Sequence, residues 1–141
     1  MKKRTWIMFA VASVIVLAGV LLFLFRVQPL VRADFDMDFV DVGYHVAEDQ
    51  WERFALTDAQ IEELRPYLMD VNMRRKSFNP GSYPTKDVIF RIEIYGSDGP
   101  WSIVLGEPCF ANESRFHPRF TILKDDAYDA LIRYLETLVG K

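Results

Sequence analysis

The chain has 141 residues, half of them apolar, a single cysteine and a formal charge of −3. One cysteine excludes an internal disulfide framework, and the length suits a terminal segment plus one compact domain. The charge is uneven: residues 1–33 hold five basic and no acidic side chains, whereas residues 34–141 hold 12 basic and 20 acidic ones, a net of −8. An acidic unit of this kind repels nucleic acid at long range, so DNA or RNA binding is not expected.

Residues 6–25, WIMFAVASVIVLAGVLLFLF, run twenty positions without a charge. As a helix they rise about 30 Å, the hydrocarbon thickness of a bilayer. Ser13 is the one hydroxyl in the run and can bond back to its own helix. The run is longer than the apolar region of a typical cleaved signal peptide, about 7–15 residues. Leu17, Ala18 and Gly19 open like a lipoprotein cleavage box, but Val20 stands where the lipidated cysteine belongs. The expectation is an uncleaved signal-anchor helix; the alternative is secretion after cleavage near Ala33, where Val31 and Ala33 have the spacing signal peptidase reads. Lys2, Lys3 and Arg4 before the run outweigh Arg26 and Arg32 after it, which puts residues 1–5 in the cytoplasm and the rest outside. Trp6, Phe23 and Phe25 suit the two membrane interfaces. Ala10, Ala12, Ser13, Ala18 and Gly19 contain no pair separated by four positions, so no strong dimer driven by the anchor is expected.

Residues 26–33 read as a stalk, and residues 34–141 as one extracytoplasmic domain that folds alone without metal or disulfide. The stretch 34–46 alternates like a strand, with a phase slip that predicts a bulge near 39–41 or burial on both faces. A short strand over 50–56 follows. Thr57 and Gln60 form a capping box ahead of Ile61, Leu64, Leu68 and Val71, which predicts a helix that Pro66 should kink or end. Residues 77–87 read as a loop, and 88–95 with 101–105 as a hairpin through Gly96–Pro100. An irregular connection, 106–118, leads to a strand at 119–123. The last helix is capped by Asp125, stopped by Gly140, and striped by Tyr128, Leu131, Ile132, Leu135, Leu138 and Val139.

The fold class expected is therefore α+β: a single transmembrane helix, then the order β-α-β-β-β-α, with helices on one face of a mostly antiparallel sheet. With Leu56-Thr57-x-x-x-Ile61-x-x-Leu64, this order resembles small exported domains of Gram-positive bacteria, by architecture and not by motif.

Candidate chemistry is sparse. Asp34, Asp36 and Asp38 match the first ligands of a calcium loop, but Phe39 and His45 stand where it needs Gly and Glu, so a solvated strand face is the expected role. Cys109, with His117, His45, Arg115 and Arg119, is similar to the Cys/His/Arg set of the membrane-anchored sortase transpeptidases, although LGEPC lacks that family's T-L-x-T-C context. An intermolecular disulfide at Cys109 is a further reading. Arg74, Arg75 and Lys76 form the one basic run outside the anchor, expected after a helix C-terminus. Together with Tyr83 and Phe110 they make the candidate interaction patch, while Trp51 and Trp101 are expected in the core. Asn112-Glu113-Ser114 fits a glycosylation acceptor, meaningful only in a eukaryotic secretory pathway.

No catalytic, cofactor or metal motif is evident. The function expected is a non-enzymatic binding, regulatory or accessory module at the bacterial cell envelope. Its partners would be the bilayer, through residues 6–25, and an unknown protein or envelope component. The alternative is a small envelope hydrolase or a sortase-like thiol transpeptidase using Cys109.

Overall fold

A computed structural model describes residues 2–47, 50–76, 87–107, 109–113 and 119–140. In chain order these form α1 (Lys2–Leu24), β1 (Val27–Pro29), β2 (Phe39–Ala47), β3 (Gln50–Ala55), α2 (Asp58–Asp70), β4 (Asn72–Arg75), β5 (Asp87–Tyr95), β6 (Trp101–Glu107), β7 (Phe110–Glu113), β8 (Arg119–Ile122) and α3 (Asp126–Leu138). The strands make one open antiparallel sheet in the order β1-β4-β8-β7-β6-β5-β2-β3. The class is α+β, with three helices among the described residues, but the order beyond α1 has more strands than expected.

The clearest difference lies in residues 26–33. Instead of a stalk, they supply edge strand β1, which pairs Val27 with Arg74, Gln28 with Met73 and Pro29 with Asn72. Pro29 is tolerated because an edge strand needs no donor on its outer side. The Leu30 amide donates to the Val71 carbonyl at 2.8 Å, and Leu30 and Val31 are buried to 2% and 1% exposure. The folded unit thus begins with only two residues, Phe25 and Arg26, between it and α1.

β4 was also not expected. The run after α2 is a strand in the sheet interior, with Met73 facing the core and Arg74 exposed. α2 continues through Pro66 to Asp70, its capping box formed by Thr57 and Gln60. A proline inside a helix costs about 3 kcal/mol. Leu64 and Leu68, both fully buried on either side of it, return about 1.5–3 kcal/mol each, so burial wins.

Strand register puts Val42, Ile92, Ile103 and Ala111 in one cross-sheet row on a single face. With Val40, Phe90, Ile94, Leu105 and Ile122 they pack against Ile61, Leu64 and Leu68 of α2 and Tyr128, Leu131 and Leu135 of α3. The two helices meet through the stacked rings of Tyr67 and Tyr134, 4.6 Å apart. Asp125 accepts the Tyr128 amide at 3.1 Å, and Gly140 ends the chain's last turn at φ +74°.

Residues 34–38 lie outside any strand, so the phase slip marks the entry to β2; the register shift in β2 falls between His45 and Ala47 instead. Asp36 is not a solvated strand side chain. Its Oδ2 accepts from the Ser97 hydroxyl at 2.6 Å and the Ser97 amide at 3.1 Å, clasping the β5–β6 turn. The Asp36 carbonyl comes so close to Gly96 that a Cβ there would stand 2.2 Å from it.

Candidate functional site

The face of the sheet away from the helices carries most of the organised polar chemistry. Successive side chains of a strand point to opposite faces, so β2 buries Val40 and Val42 and turns Phe39, Asp41, Gly43 and His45 outward. Register then aligns Asp41, Glu93, Ser102 and Asn112 across β2, β5, β6 and β7. The next row holds Arg53, Gly43 and Arg91 across β3, β2 and β5.

Two carboxylates directly opposite on neighbouring strands repel each other unless countered. Here each has its own guanidinium, one on either side of Gly43. Arg53 Nη2 lies 2.5 Å from Asp41 Oδ2, and Arg91 Nε lies 2.6 Å from Glu93 Oε1. Glu93 Oε1 also accepts from the Ser102 hydroxyl at 2.9 Å. Glu93 and Ser102 are only 8% and 4% exposed, which ties this part of the lattice firmly to the sheet. The outer halves of the two guanidiniums stay open to solvent, each side chain being 59% exposed.

Aromatic pairs flank this charged centre. Phe39 and Tyr95 lie across from each other with centroids 5.9 Å apart, both largely exposed. His45 packs on Trp51 at 4.0 Å, and the Trp51 ring reaches over Gly43, where no Cβ stands in its way. Trp51 is therefore on this outer face at 37% exposure, not in the core as expected; Trp101 is in the core. The whole platform spans four strands, about 15 Å at ordinary strand spacing. Its donors, acceptors and ring faces suit recognition, and its carboxylates are occupied by guanidiniums.

The other candidate residues lie elsewhere. Asp36 and Asp38 share a hydrogen bond while Asp34 pairs with Arg32, and among the described residues no three His, Cys, Asp or Glu side chains gather as a metal site. The Ser97 hydroxyl and amide hold the Asp36 carboxyl below the usual carboxylate range, while hydrogen bonding to Asp36 raises that of Asp38. Arg74 and Arg75 lie on β4 and Phe110, half-buried, on β7, whereas Tyr83 lies outside the described residues. Register sets Phe110 and Arg74 in one cross-strand row, on either side of Thr121 and so two strand spacings apart.

Cys109 precedes β7 with its side chain packed against the core beside Tyr128. Burial pushes the thiol up to about 11, against smaller opposing effects of the Tyr128 hydroxyl and Lys124. A catalytic thiol needs the opposite shift and an imidazole within hydrogen-bond reach. His45 sits on β2, three strands from β7 and so about 14 Å away laterally, and His117 lies outside the described residues. With a pKa near 11, about one thiol in ten thousand is ionised at pH 7. Labelling by a disulfide reagent at pH 7 is therefore expected to run at least tenfold slower than with free cysteine, and to reach the normal rate in denaturant. Fast labelling of the folded chain would show that the thiol is activated.

Nothing in the sequence singled out the outer-face platform, because its residues come from four separate strands. The signal available was the alternation Phe39-Asp41-Gly43-His45 along β2, which becomes meaningful only with the register. No family model, curated protein or solved structure matches this chain.

Proposed function

We propose that the chain is a single-pass membrane protein with its N-terminus in the cytoplasm. Its outer α+β domain binds a protein or envelope component by the face bearing Asp41, Arg53, Arg91 and Glu93. It acts as a regulatory or accessory module and not through covalent chemistry. The observation that carries this reading is the junction of α1 with the sheet. α1 is 23 residues long and apolar, with every residue from Lys2 to Leu24 exposed, and it passes into β1 through Phe25 and Arg26 alone. An apolar helix with no protein partner needs lipid around it. Retention of the anchor is supported by Leu30 and Val31, core residues that cleavage near Ala33 would remove. A recognition role for the outer face is supported by guanidiniums held in place by buried or half-buried carboxylates and flanked by exposed rings, since arginine and aromatic side chains dominate binding energy at interfaces.

Carbonate extraction is expected to leave the full-length chain in the membrane pellet, and protease added outside intact cells to remove the domain. A soluble product beginning at Asp34 would refute the anchored reading. For the binding face, a photo-crosslinking residue at Tyr95 should capture a discrete partner, and the same residue at exposed Arg133 of α3 should not. Equal capture at both positions would refute a specific outer face.

A further inference from the structure

The basic run Arg74-Arg75-Lys76 acquires a place once the strand register is known. β1 leaves the end of α1 and β4 returns antiparallel beside it, with Arg74 opposite Val27. Continuing that register, Arg75 comes level with Arg26 and Lys76 with Phe25. On the other side of β4, Arg75 faces Phe120, so Lys76 is also level with Arg119, the first residue of β8. Four basic residues from two adjacent segments (Arg26 before β1, and Arg74, Arg75 and Lys76 at the end of β4) therefore gather at the end of the sheet where the apolar helix enters, and Arg119 opens β8 at the same level.

Chain length sets how far this end can stand from the bilayer. From Leu24 to Val27 is three residue steps, at most about 10 Å when extended. The headgroup layer on each side of the hydrocarbon is about 5–8 Å deep. Arg26 and the end of β4 thus lie in or directly above the headgroups. The Arg26 guanidinium sits 4.0 Å from the centre of the Phe23 ring, at the boundary of the span. Arg74 and Lys76 are exposed, and among the described residues neither Arg74 nor Arg75 has a carboxylate at ion-pair distance.

The acidic cluster beside the β5–β6 turn does not cancel this group. Asp36, Asp38 and Asp98 flank the start of β2 and the β5–β6 turn, five and six strands from β1 and four and five from β4, which carries Arg74 and Arg75. The smallest of these separations is about 19 Å, against a screening length of about 8 Å in physiological salt. Strand twist of about 20–25° per step also turns the far strands away from the plane that the β1–β4 edge presents.

Resting on the membrane-anchored reading above, we infer that the membrane-proximal end of the β1–β4–β8 edge is a binding site for anionic lipid headgroups of the bilayer that α1 spans. The phosphates engage Arg26, Arg74, Arg75 and Lys76, so the domain is docked in a fixed pose instead of swinging on its anchor. Each basic side chain near an anionic surface contributes about fivefold in binding.

The test uses the full-length chain in vesicles of phosphatidylcholine, with or without about one-third phosphatidylglycerol, and reads amide hydrogen exchange over 27–31 and 72–75. Flotation with both kinds of vesicle is expected, because α1 inserts whatever the lipid charge; failure to float would refute the anchored reading, and this inference with it. Given flotation, exchange at those amides should be at least fivefold slower in anionic vesicles, and 0.5 M NaCl should remove the difference in the wild type. Arg74→Gln/Arg75→Gln/Lys76→Gln should float normally and lose the difference, while Arg133→Gln on α3 should keep it. Exchange independent of lipid charge in the wild type would overturn the inference. So would equal protection by inorganic phosphate over neutral vesicles, which would mark a site for free anions.

Discussion

A fragment beginning at Asp34 is expected to melt far below one beginning at Arg26, or to show no cooperative melting at all. The missing residues look dispensable in the sequence, since they are few and follow directly on an apolar segment. In the fold they are β1 and two side chains that are 2% and 1% exposed. Fully burying a leucine or valine stabilises by about 1.5–3 kcal/mol, so Leu30 and Val31 together contribute about 3–6 kcal/mol. A domain of this size has only about 5–15 kcal/mol in all. Removing β1 also leaves β4 as an edge paired only with β8, and the Val71 carbonyl without the Leu30 amide. Circular dichroism melts of the two fragments in parallel decide the matter. Equal melting temperatures would mean that β1 is an accessory strand and that the folded unit starts at residue 34.

That comparison also explains which parts of the fold could be read from the sequence. Elements whose cause is local were readable: the Thr57–Gln60 capping box, the Asp125 cap, the α3 stripe, and the β5–β6 hairpin all carry their signals within a few residues. The missed elements owe their form to distant partners. β1 is three residues with a proline, and it is a strand because β4 lies beside it. In β4 two arginines hide Met73, the one side chain that faces the core. β7 supplies Ala111, a fully buried residue too small to announce a strand. The platform of Asp41, Glu93 and their arginines fails for the same reason, since cross-strand register has no signature in one strand. Cys109 differs again: its position was evident, but its reactivity depends on burial beside Tyr128.

One continuous sheet joins the β1–β4 edge to the outer face on β2, β3 and β5. If the β1–β4 edge is held against the headgroups, the outer face is presented at a set height above the bilayer and not at random. A partner in the same membrane would then meet Arg53, Arg91 and the flanking rings without an orientational search, which favours a weak but specific contact.

Leu135→Ala is expected to lower stability by about 2–5 kcal/mol, the range for removing a buried leucine side chain from a packed core. Leu135 is completely buried on α3, between Leu131 and the turn that Gly140 ends. Polar ties add little to this packing at the α2 side, where the single Tyr134 hydroxyl proton is shared between the Gln60 carbonyl at 3.4 Å and Glu63 Oε2 at 3.3 Å. At about 4–8 °C per kcal/mol for a domain of this size, the melting temperature should fall by roughly 10 °C or more. Asp36→Asn makes the comparison, because asparagine keeps one acceptor oxygen for Ser97 and the carboxylate is exposed enough to be screened. Its effect should be much smaller and should depend on pH with a definite sign. The Asp36 carboxyl titrates below its usual range chiefly because the Ser97 hydroxyl donates to it. Its contribution is thus present above the unfolded carboxylate pKa and is lost as pH falls through the lowered folded value. The neighbouring Asp38, raised by Asp36, works in the opposite direction and flattens the profile. Melting curves at pH 7 and at successively lower pH should therefore show a constant large deficit for Leu135→Ala and a small one for Asp36→Asn that closes in acid. A Leu135→Ala variant that melts within a degree or two of the wild type would mean that α3 is not part of the cooperative core.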